Sequence, residues 1–359
     1  MSKKKVLVVF GGKSPEHDIS LKSATSILNN LDREKYDVYT IGITKEGEWF
    51  LYDSCEVKLE NDAWLSDKSK LKKAIISPDA NDKCFIVFDG DKITKIQPDI
   101  VFPMMHGENG EDGTIQGLLE LSGMKYVGMG VLGSAVSMDK AYTKIILQYA
   151  GIPQADWITV QAHQMKDVDK ICKNVEEKIG YPCFVKPCNT GSSVGVGKAH
   201  DREELIEKLE NAMKFDRKVL VEECIDGHEV ECAVLGNIKA DASCVGEILP
   251  TVEFYDFDAK YVDNSTELQI PAELPESVTE QIRENAKKAF AAVDGRGLAR
   301  VDFFVKYKDN SVVLNEINTI PGFTNISMYP KLWQASGKTY SGLLDELIRL
   351  GFDRGNVNE

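Results

Sequence analysis

The sequence predicts an α/β protein that begins with a Rossmann-like, doubly wound unit and continues into further α/β units. An apolar strand, residues 6–10, runs into Gly11–Gly12, and a helix and a second strand follow it. Beyond this start, strand patterns and amphipathic helix patterns recur along most of the chain. The length of 359 residues exceeds what one small core organises and indicates two or three domains.

The first unit has three further recognisable elements. Apolar residues at helical spacing predict a helix from near Ser20, and Tyr36–Ile43 has the composition of a second strand. Residues 45–95 are expected to be irregular, with a hairpin at 84–96 around Asp89–Gly90. The pattern GxGxxG is absent, which excludes the dinucleotide-binding fingerprint.

A strand over Ile100–Met105 leads into a loop of glycines and acids, HGENGEDGTIQG. A helix cap at Asp112 and a tight turn at Gly113 explain part of this loop. They do not explain His106, which follows the carboxyl end of a strand, where open α/β sheets bind ligands. We expect His106 near a ligand, and the alternative is a histidine that only orients the loop.

A second unit starts near Val127. The segment Ser137–Lys140 is placed to cap a helix that runs to Ala150, and a strand over Cys183–Pro187 carries Lys186 near its end. The segment CNTGSSVGV follows that strand. Its backbone N–H groups, together with the lysine, can cover phosphates, and a flexible turn is the alternative. A Walker A loop is excluded because no GK[ST] opens a helix.

The third unit holds a strand pair that organises the C-terminal part. Arg300 and Asp302 share one face of the first strand, and Glu316 and Asn318 lie on the second. If the strands pair, these oxygen ligands converge and suit Mg²⁺, with a guanidinium beside them. An ordinary hairpin with a polar face is the alternative, and the Pro-Gly turn in TIPGFT favours the metal and phosphate site. The predicted domains are 1–126, 127–213 and 214–359.

Bulk composition excludes several classes of protein. The net charge of −14 argues against non-specific binding of nucleic acid. There is no apolar run of about eighteen residues and no signal-peptide pattern, so we expect no membrane partner. The eight cysteines are scattered without a CxxC pair, which is typical of reduced residues in a cytoplasmic protein.

Eight segments, in order, resemble the D-alanine–D-alanine ligases of the ATP-grasp superfamily. They are GGKSPEHDISL, HGENGEDGTIQG, SMDK, FVKPCNTGSSVGV, VEECIDGHEVECAVLG, FYDFDAKY, GLARVDFF and NEINTIPGFTNISMYP. The resemblance covers nearly the whole chain and implies an N-terminal α/β domain followed by a two-subdomain ATP-grasp fold. The implied reaction joins two D-alanines through a D-alanyl phosphate and supplies a peptidoglycan precursor. It is implied to use ATP and Mg²⁺ or Mn²⁺, with two metal ions expected.

The resemblance also implies roles for residues that bind ATP and metal. Lys140 and Lys186 match the phosphate-binding lysines, and Glu222 and Glu229 match the acids at adenine and ribose. The backbone of residues 223–225, from Glu223 to Ile225, is expected along the base. The positions that match the metal ligands are Asp302, Glu316 and Asn318.

Further positions match the residues that bind the two amino acids. Glu16 matches the partner of the first ammonium, and Ser192 and Tyr261 match its hydrogen-bonded partners. Arg300 and the Gly322 N–H match the oxyanion hole. Ser327 and the Met328 N–H match the site for the carboxylate of the second amino acid, with Lys260 nearby. By the same resemblance, the HGENGEDG loop places His106 near the first substrate.

Two other functions stay open at this point. A related ligase could use D-serine or D-lactate as acceptor, although Tyr261 and Met328 are of the D-alanine type. A nucleotide-binding module without catalysis is the second alternative, and the catalytic and metal positions present in the chain argue against it. The expected assembly is a homodimer.

Overall fold

The structure, a computed structural model, describes residues 2–54, 57–249, 267–324 and 326–354. Its N-terminal unit is built on one seven-stranded sheet in the order β6-β5-β4-β3-β2-β1-β7. The strands are β1 (Lys4–Gly11), β2 (Tyr36–Ile43), β3 (Trp49–Tyr52), β4 (Leu71–Ile76), β5 (Phe85–Asp89), β6 (Lys92–Ile96) and β7 (Ile100–Met104). β1 pairs in parallel with β2 and β7, which is the predicted doubly wound start.

Two expectations for this unit need correction. Residues 45–95 are not mainly irregular, because β3 and β4 pair antiparallel with their neighbours and join the predicted hairpin to the sheet. The helix expected from Ser20 begins earlier: α1 spans His17–Asn30. Its N-cap is therefore Glu16, which stands directly beyond the carboxyl end of β1. A second helix, α2 (Thr114–Leu121), follows the glycine-rich loop.

The middle unit is a four-stranded antiparallel sheet in the order β10-β9-β11-β8. Its strands are β8 (Trp157–Gln161), β9 (Cys183–Pro187), β10 (Gly197–Ala199) and β11 (Lys218–Glu223). Its helices are α3 (Val131–Met138), α4 (Lys140–Tyr149), α5 (Val168–Lys178) and α6 (Arg202–Ala212). β11 lies beyond residue 213, where the second domain was expected to end, and its pairing with β8 and β9 places it in this sheet.

The last unit is a five-stranded antiparallel sheet in the order β14-β13-β12-β15-β16. Its strands are β12 (Gly227–Gly236), β13 (Ala240–Leu249), β14 (Glu267–Gln269), β15 (Gly297–Lys306) and β16 (Val312–Asn318). Its helices are α7 (Glu276–Ala292), α8 (Met328–Ala335) and α9 (Tyr340–Asp353). α8 was not predicted from the sequence.

The cores explain how the units hold the polar face of β15 in place. Val301, Phe303 and Val305 are fully buried under α7, and each such side chain contributes about 1.5–3 kcal/mol by leaving water. A second core joins the N-terminal sheet to the C-terminal helices, and it includes both Phe10 and Trp333. The four-stranded sheet has a core of its own. No helix among the described residues is long and apolar enough to cross a membrane.

Candidate active site

A cavity of about 680 Å³ lies between the four-stranded and five-stranded sheets. β9 and β11 form one wall, β16 forms the opposite wall, and the link between β11 and β12 closes one end. Many of the residues predicted to bind ATP, metal or substrate line it. They are Lys140, Lys186, Ser192, Glu222, Glu223, Ile225, Glu229, Glu316 and Asn318.

The acidic cluster is built by the register of β15 and β16. The strands pair as predicted, with Asp302 opposite Glu316 and Arg300 opposite Asn318. Arg300 binds Asp302 through two parallel hydrogen bonds, Nε to Oδ1 at 2.8 Å and Nη2 to Oδ2 at 2.7 Å. The Asn318 amide donates to Asp302 Oδ2 at 2.9 Å. Two carboxylates and an amide are thus held together on one face, with a guanidinium fixed beside them.

Glu231 is a member of this cluster that the sequence analysis missed. It lies on β12 opposite Asp302, and its Oε2 is 2.9 Å from Arg300 Nε. Burial alone would lower the pKa of Arg300, but Asp302 and Glu231 outweigh it and hold that pKa well above the usual value. The alternation of Glu229 and Glu231 along β12 is the signal that could have found it, since both point to one face.

The wall formed by β9 and β11 carries a lysine-rich cluster. Glu222 lies between two ammonium groups: Lys186 Nζ is 2.8 Å from its Oε2, and Lys144 Nζ contacts its Oε1. Burial alone would raise the pKa of Glu222, but Lys144 and Lys186 lower it to about 2. Lys144 was not predicted as a site residue. Its position between Ala141 and Leu147 on the buried face of α4 was a usable signal, because a lysine there needs a partner.

Lys140 is placed by the cap of α4. Within the cap predicted at Ser137–Lys140, the Asp139 side chain accepts hydrogen bonds from the backbone N–H groups of Ala141 and Tyr142 and so fixes the start of the helix. The ammonium of Lys140 then donates to the Thr190 carbonyl at 2.8 Å. This contact anchors the glycine-rich loop after β9 at the edge of the cavity, next to Lys140.

Glu16 occupies a small pocket formed by two loops. The Ser192 hydroxyl donates to Glu16 Oε1. A β-carbon at Gly107 would lie 2.4 Å from Glu16 Oε2, and one at Gly191 would lie 2.6 Å from it. Both positions therefore need glycine for the loops to approach this carboxylate. The structure brings together three segments that are far apart in the chain.

Glu111 is a second acid of this pocket that the sequence analysis did not assign. It accepts hydrogen bonds from the backbone N–H of Gly107 at 3.0 Å and of Ile320 at 3.3 Å. Burial, followed by the nearby charge of Glu16, raises its pKa to about 8. Glu316 contributes to the same shift, so Glu111 lies between the Glu16 pocket and the acidic cluster. The three acids of HGENGEDG were the only signal, and they did not distinguish Glu111 from its neighbours.

His106 is buried behind the pocket. Its Nε2 is 3.0 Å from the Ser23 hydroxyl, which also accepts the backbone N–H of Phe323 at 3.2 Å. Burial lowers the pKa of His106 to about 4, although a hydrogen bond with the backbone of Ile320 opposes the shift. The imidazole is therefore neutral at physiological pH and ties the loop after β7 to α1 and to the loop after β16.

The remaining predicted positions follow β16. Ser327 is the N-cap of α8, and its hydroxyl accepts the Thr324 N–H at 3.0 Å. A β-carbon at Gly322 would lie 2.8 Å from the Ser327 hydroxyl, so these two positions are adjacent. Met328 opens α8, and N–H groups in the first turn of a helix have no partner within it. Lys260 and Tyr261, with the whole FYDFDAKY segment, lie outside the described residues.

Comparison with known proteins places the chain among ligases. Residues 5–129 match the family model described as D-ala D-ala ligase N-terminus, and residues 146–349 match the model described as D-ala D-ala ligase C-terminus. The chain is 53% identical to a D-alanine–D-alanine ligase of Acetivibrio thermocellus, in an alignment of 99% of this chain and 98% of the relative. It is 50% identical to that of Clostridium acetobutylicum, over 99% and 100% of the two chains.

Solved structures agree in fold over nearly the whole chain. The VanG D-Ala:D-Ser ligase from Enterococcus faecalis is 37% identical, with a TM-score of 0.89 over 98% of this chain and all of that one. The D-alanine–D-alanine ligase from Coxiella burnetii is 39% identical, with a TM-score of 0.88 over 99% of this chain and 95% of that one.

Proposed function

This chain belongs to the D-alanine–D-alanine ligase family of the ATP-grasp fold, and we propose how its residues carry out the ATP-dependent ligation. The reaction joins two D-alanines and releases ADP and phosphate, which supplies a precursor of peptidoglycan. One observation carries the assignment of the site. The cavity between two sheets has a surplus of lysine on one wall and a surplus of acid on the other, as phosphoryl transfer to a carboxylate needs.

ATP is proposed to lie along the cavity with its phosphates toward Lys140 and Lys186. Both ammonium groups line the cavity, and the loop anchored by Lys140 can add backbone N–H donors. The nucleoside end is proposed to lie toward the link between β11 and β12. There Glu223 and Ile225 present backbone groups, and Glu222 and Glu229 serve as the acids at adenine and ribose.

The donor set of the acidic cluster fits a divalent cation. Asp302, Glu316 and Asn318 offer hard oxygen ligands on one face, which suits Mg²⁺ or Mn²⁺, and we propose two ions. When bound, the metal screens the charge of the phosphate oxygens during transfer. Arg300 keeps the Asp302 carboxylate in a fixed orientation through its two hydrogen bonds.

The Glu16 pocket is proposed to hold the first D-alanine by its ammonium group. The carboxylate of Glu16 is buried and accepts the Ser192 hydroxyl, and its negative charge suits an ammonium group. His106 is proposed near this substrate and acts by holding the loop that forms the pocket. With the first carboxylate turned toward the acidic cluster, phosphorylation would give the D-alanyl phosphate.

The second D-alanine is proposed to bind at the start of α8. The Ser327 hydroxyl and the Met328 N–H would hold its carboxylate, because a helix N-terminus favours an anion. Its amine then attacks the acyl phosphate, and Arg300 and the Gly322 N–H would stabilise the oxyanion. Ser192 and Tyr261 are proposed to help remove the amine proton, and Lys260 is proposed beside the same substrates. Tyr261 and Lys260 lie outside the described residues.

D-serine or D-lactate is the alternative acceptor. The similarity to a D-Ala:D-Ser ligase over nearly the whole chain is the observation that keeps it open. We propose D-alanine because Tyr261 and Met328 are of the D-alanine type. Tyr261→Phe is expected to lower acceptor discrimination more than ATP binding, which the ratio of D-alanyl-D-alanine to D-alanyl-D-lactate measures. An unchanged ratio would argue that Tyr261 only packs.

The organisation of the whole molecule is also proposed. The domain boundaries are proposed at 126 and near 224–226, the latter because β11 pairs within the four-stranded sheet. We propose a cytoplasmic homodimer that acts on small molecules and uses neither nucleic acid nor membrane as a partner.

The function is tested by phosphate release from ATP with Mg²⁺ and a panel of D-amino and D-hydroxy acids, followed by mass analysis of the product. We expect ADP formation that requires D-alanine and ignores L-alanine, with D-alanyl-D-alanine as the main product. Equal turnover with L-alanine would overturn the assignment, and a main product containing D-serine or D-lactate would select the alternative acceptor.

A further inference from the structure

We propose that Lys144 is a positioning residue for ATP: it neutralises Glu222 and so leaves the positive charge of Lys186 available to the phosphates. This inference rests on the proposed function and extends it to a residue that does not touch the substrate. The phosphate role of Lys186 is assigned above, whereas the buried helix lysine behind it has no role in that scheme.

The geometry makes Glu222 a shared partner. Its two carboxylate oxygens face different lysines, Lys144 at Oε1 and Lys186 at Oε2. The side chains of Lys144 and Glu222 are 3% and 4% exposed, whereas that of Lys186 is 17% exposed. Lys186 therefore reaches the cavity and Lys144 does not: Lys186 lines the cavity, and Lys144 is absent from its described lining.

Lys144 has no room for a ligand of its own. The space left among Lys144, Lys186 and Glu222 is about 10 Å³. A cavity of about 10–15 Å³ holds at most one water, so no phosphate group fits there. Lys144 therefore acts on ATP without contacting it, and its ion pair with Glu222 is the connection to Lys186.

The charge balance gives that effect its direction. Two ammonium groups around one carboxylate leave one positive charge over, and a buried surplus charge attracts an anion strongly. Without Lys144, Lys186 and Glu222 would form a neutral ion pair, and a phosphate would compete with Glu222 for the lysine. Glu229 and Glu316 also interact with Lys186, so the loss of Lys144 would make the field at this lysine more negative.

Lys144→Met tests the proposal by direct calorimetry of ATP binding with Mg²⁺. We expect the Kd for ATP to rise at least about tenfold, equivalent to 1.4 kcal/mol, while the KM for D-alanine stays unchanged. Lys144→Arg keeps the charge and should stay close to the wild-type affinity. An unchanged Kd in Lys144→Met would overturn the proposal.

A double-mutant cycle shows whether Lys144 acts through Glu222. The substitution Lys144→Met is also made in the Glu222→Gln background, where no carboxylate can capture Lys186. We expect it to change the ATP affinity there much less than in the wild type. An equal loss in both backgrounds would show a role independent of Glu222 and would overturn the mechanism.

Lys218→Met is the matched control. Lys218 of β11 pairs with Asp139 at the cap of α4, so this ion pair joins the same helix to the same strand as Lys144 and Glu222 do. We expect a comparable loss of stability without a loss of ATP affinity, because Lys218 binds Asp139 Oδ2 whereas the cap that places Lys140 uses Oδ1. If both variants lose affinity equally, the effect is structural and the proposal is wrong. Product formation by the wild-type enzyme tests the proposed function separately, since that result does not depend on Lys144.

Discussion

The two walls of the cavity carry opposite balances of buried charge. On the wall formed by β9 and β11, two lysines surround one carboxylate, Glu222. On the facing sheet, one arginine lies between the carboxylates of Asp302 and Glu231, and Glu316 stands opposite Asp302. Each cluster is a network of basic and acidic side chains of similar size. The first has one more cation than anions, whereas the second has more anions than cations.

This difference indicates how one cavity can bind both parts of a metal–nucleotide complex. A surplus charge in a poorly hydrated site is costly until a ligand of opposite sign neutralises it. The lysine wall is thus suited to phosphate oxygens and the acidic wall to divalent metal. Glu222 and Arg300 each pair with two groups of opposite charge and so fix the geometry of their wall. The sign of the surplus charge comes from those partner groups.

The largest effect is expected from Arg300→Met. It removes the cation that pairs with Asp302 and Glu231, whose side chains are only 6% and 5% exposed. We expect a loss of about 3–5 kcal/mol in the free energy of unfolding, together with a fall in kcat of about 10²–10³. Denaturant unfolding and steady-state kinetics measure these. Arg349→Met, at an exposed pair with Glu346, should cost under about 1 kcal/mol of unfolding free energy. Equal losses in the two variants would show that the buried charges of the acidic wall are not special.

Glu316→Gln comes next, because it removes one charge of the acidic wall with little change in volume. We expect a normally folded protein that loses most of its activity and has a higher requirement for Mg²⁺. A titration of activity against Mg²⁺ concentration checks this. Wild-type activity at limiting Mg²⁺ would show that the metal binds elsewhere.

A smaller effect is expected from Lys186→Met. Lys144 and Glu222 remain as a neutral pair, so the unfolding free energy should change little. The affinity for ATP should fall about tenfold, because a charge-assisted contact to phosphate is lost. Thermal unfolding and ATP calorimetry of Lys186→Met and Lys144→Met, measured side by side, distinguish the roles of the two lysines. A larger loss of stability for Lys186→Met than for Lys144→Met would reverse the roles assigned to them.

Acid stability is expected to depend on Glu222. Because the pKa of Glu222 is lowered to about 2, below its value in the unfolded chain, its stabilising contribution is complete above pH of about 4.5. That contribution is lost as the pH falls toward 2, by about 1.4 kcal/mol for each pH unit at most. Glu222→Gln should therefore be less stable than the wild type at neutral pH, and the two unfolding curves should converge at low pH. A constant difference over this range would contradict the ion pairing.

The sequence by itself determined the part of the acidic wall that β15 and β16 form. Alternation along β15 and β16, with a polar turn between them, fixes which side chains share a face, so Arg300, Asp302 and Asn318 were predictable from local rules. The strand that ends near Lys186 was predictable for the same reason, and so was the helix capped by Asp139.

Only the tertiary structure decided which distant residues meet. The Glu16–Ser192 contact joins positions 176 residues apart, and Ile320 reaches Glu111 across 209 residues. Lys144 and Glu231 gained their roles in the same way, from partners on other elements. The physical reason is that periodicity and capping act within a few residues of the chain, whereas the pairing of a buried charge depends on which segments the packing of the sheets and helices brings together.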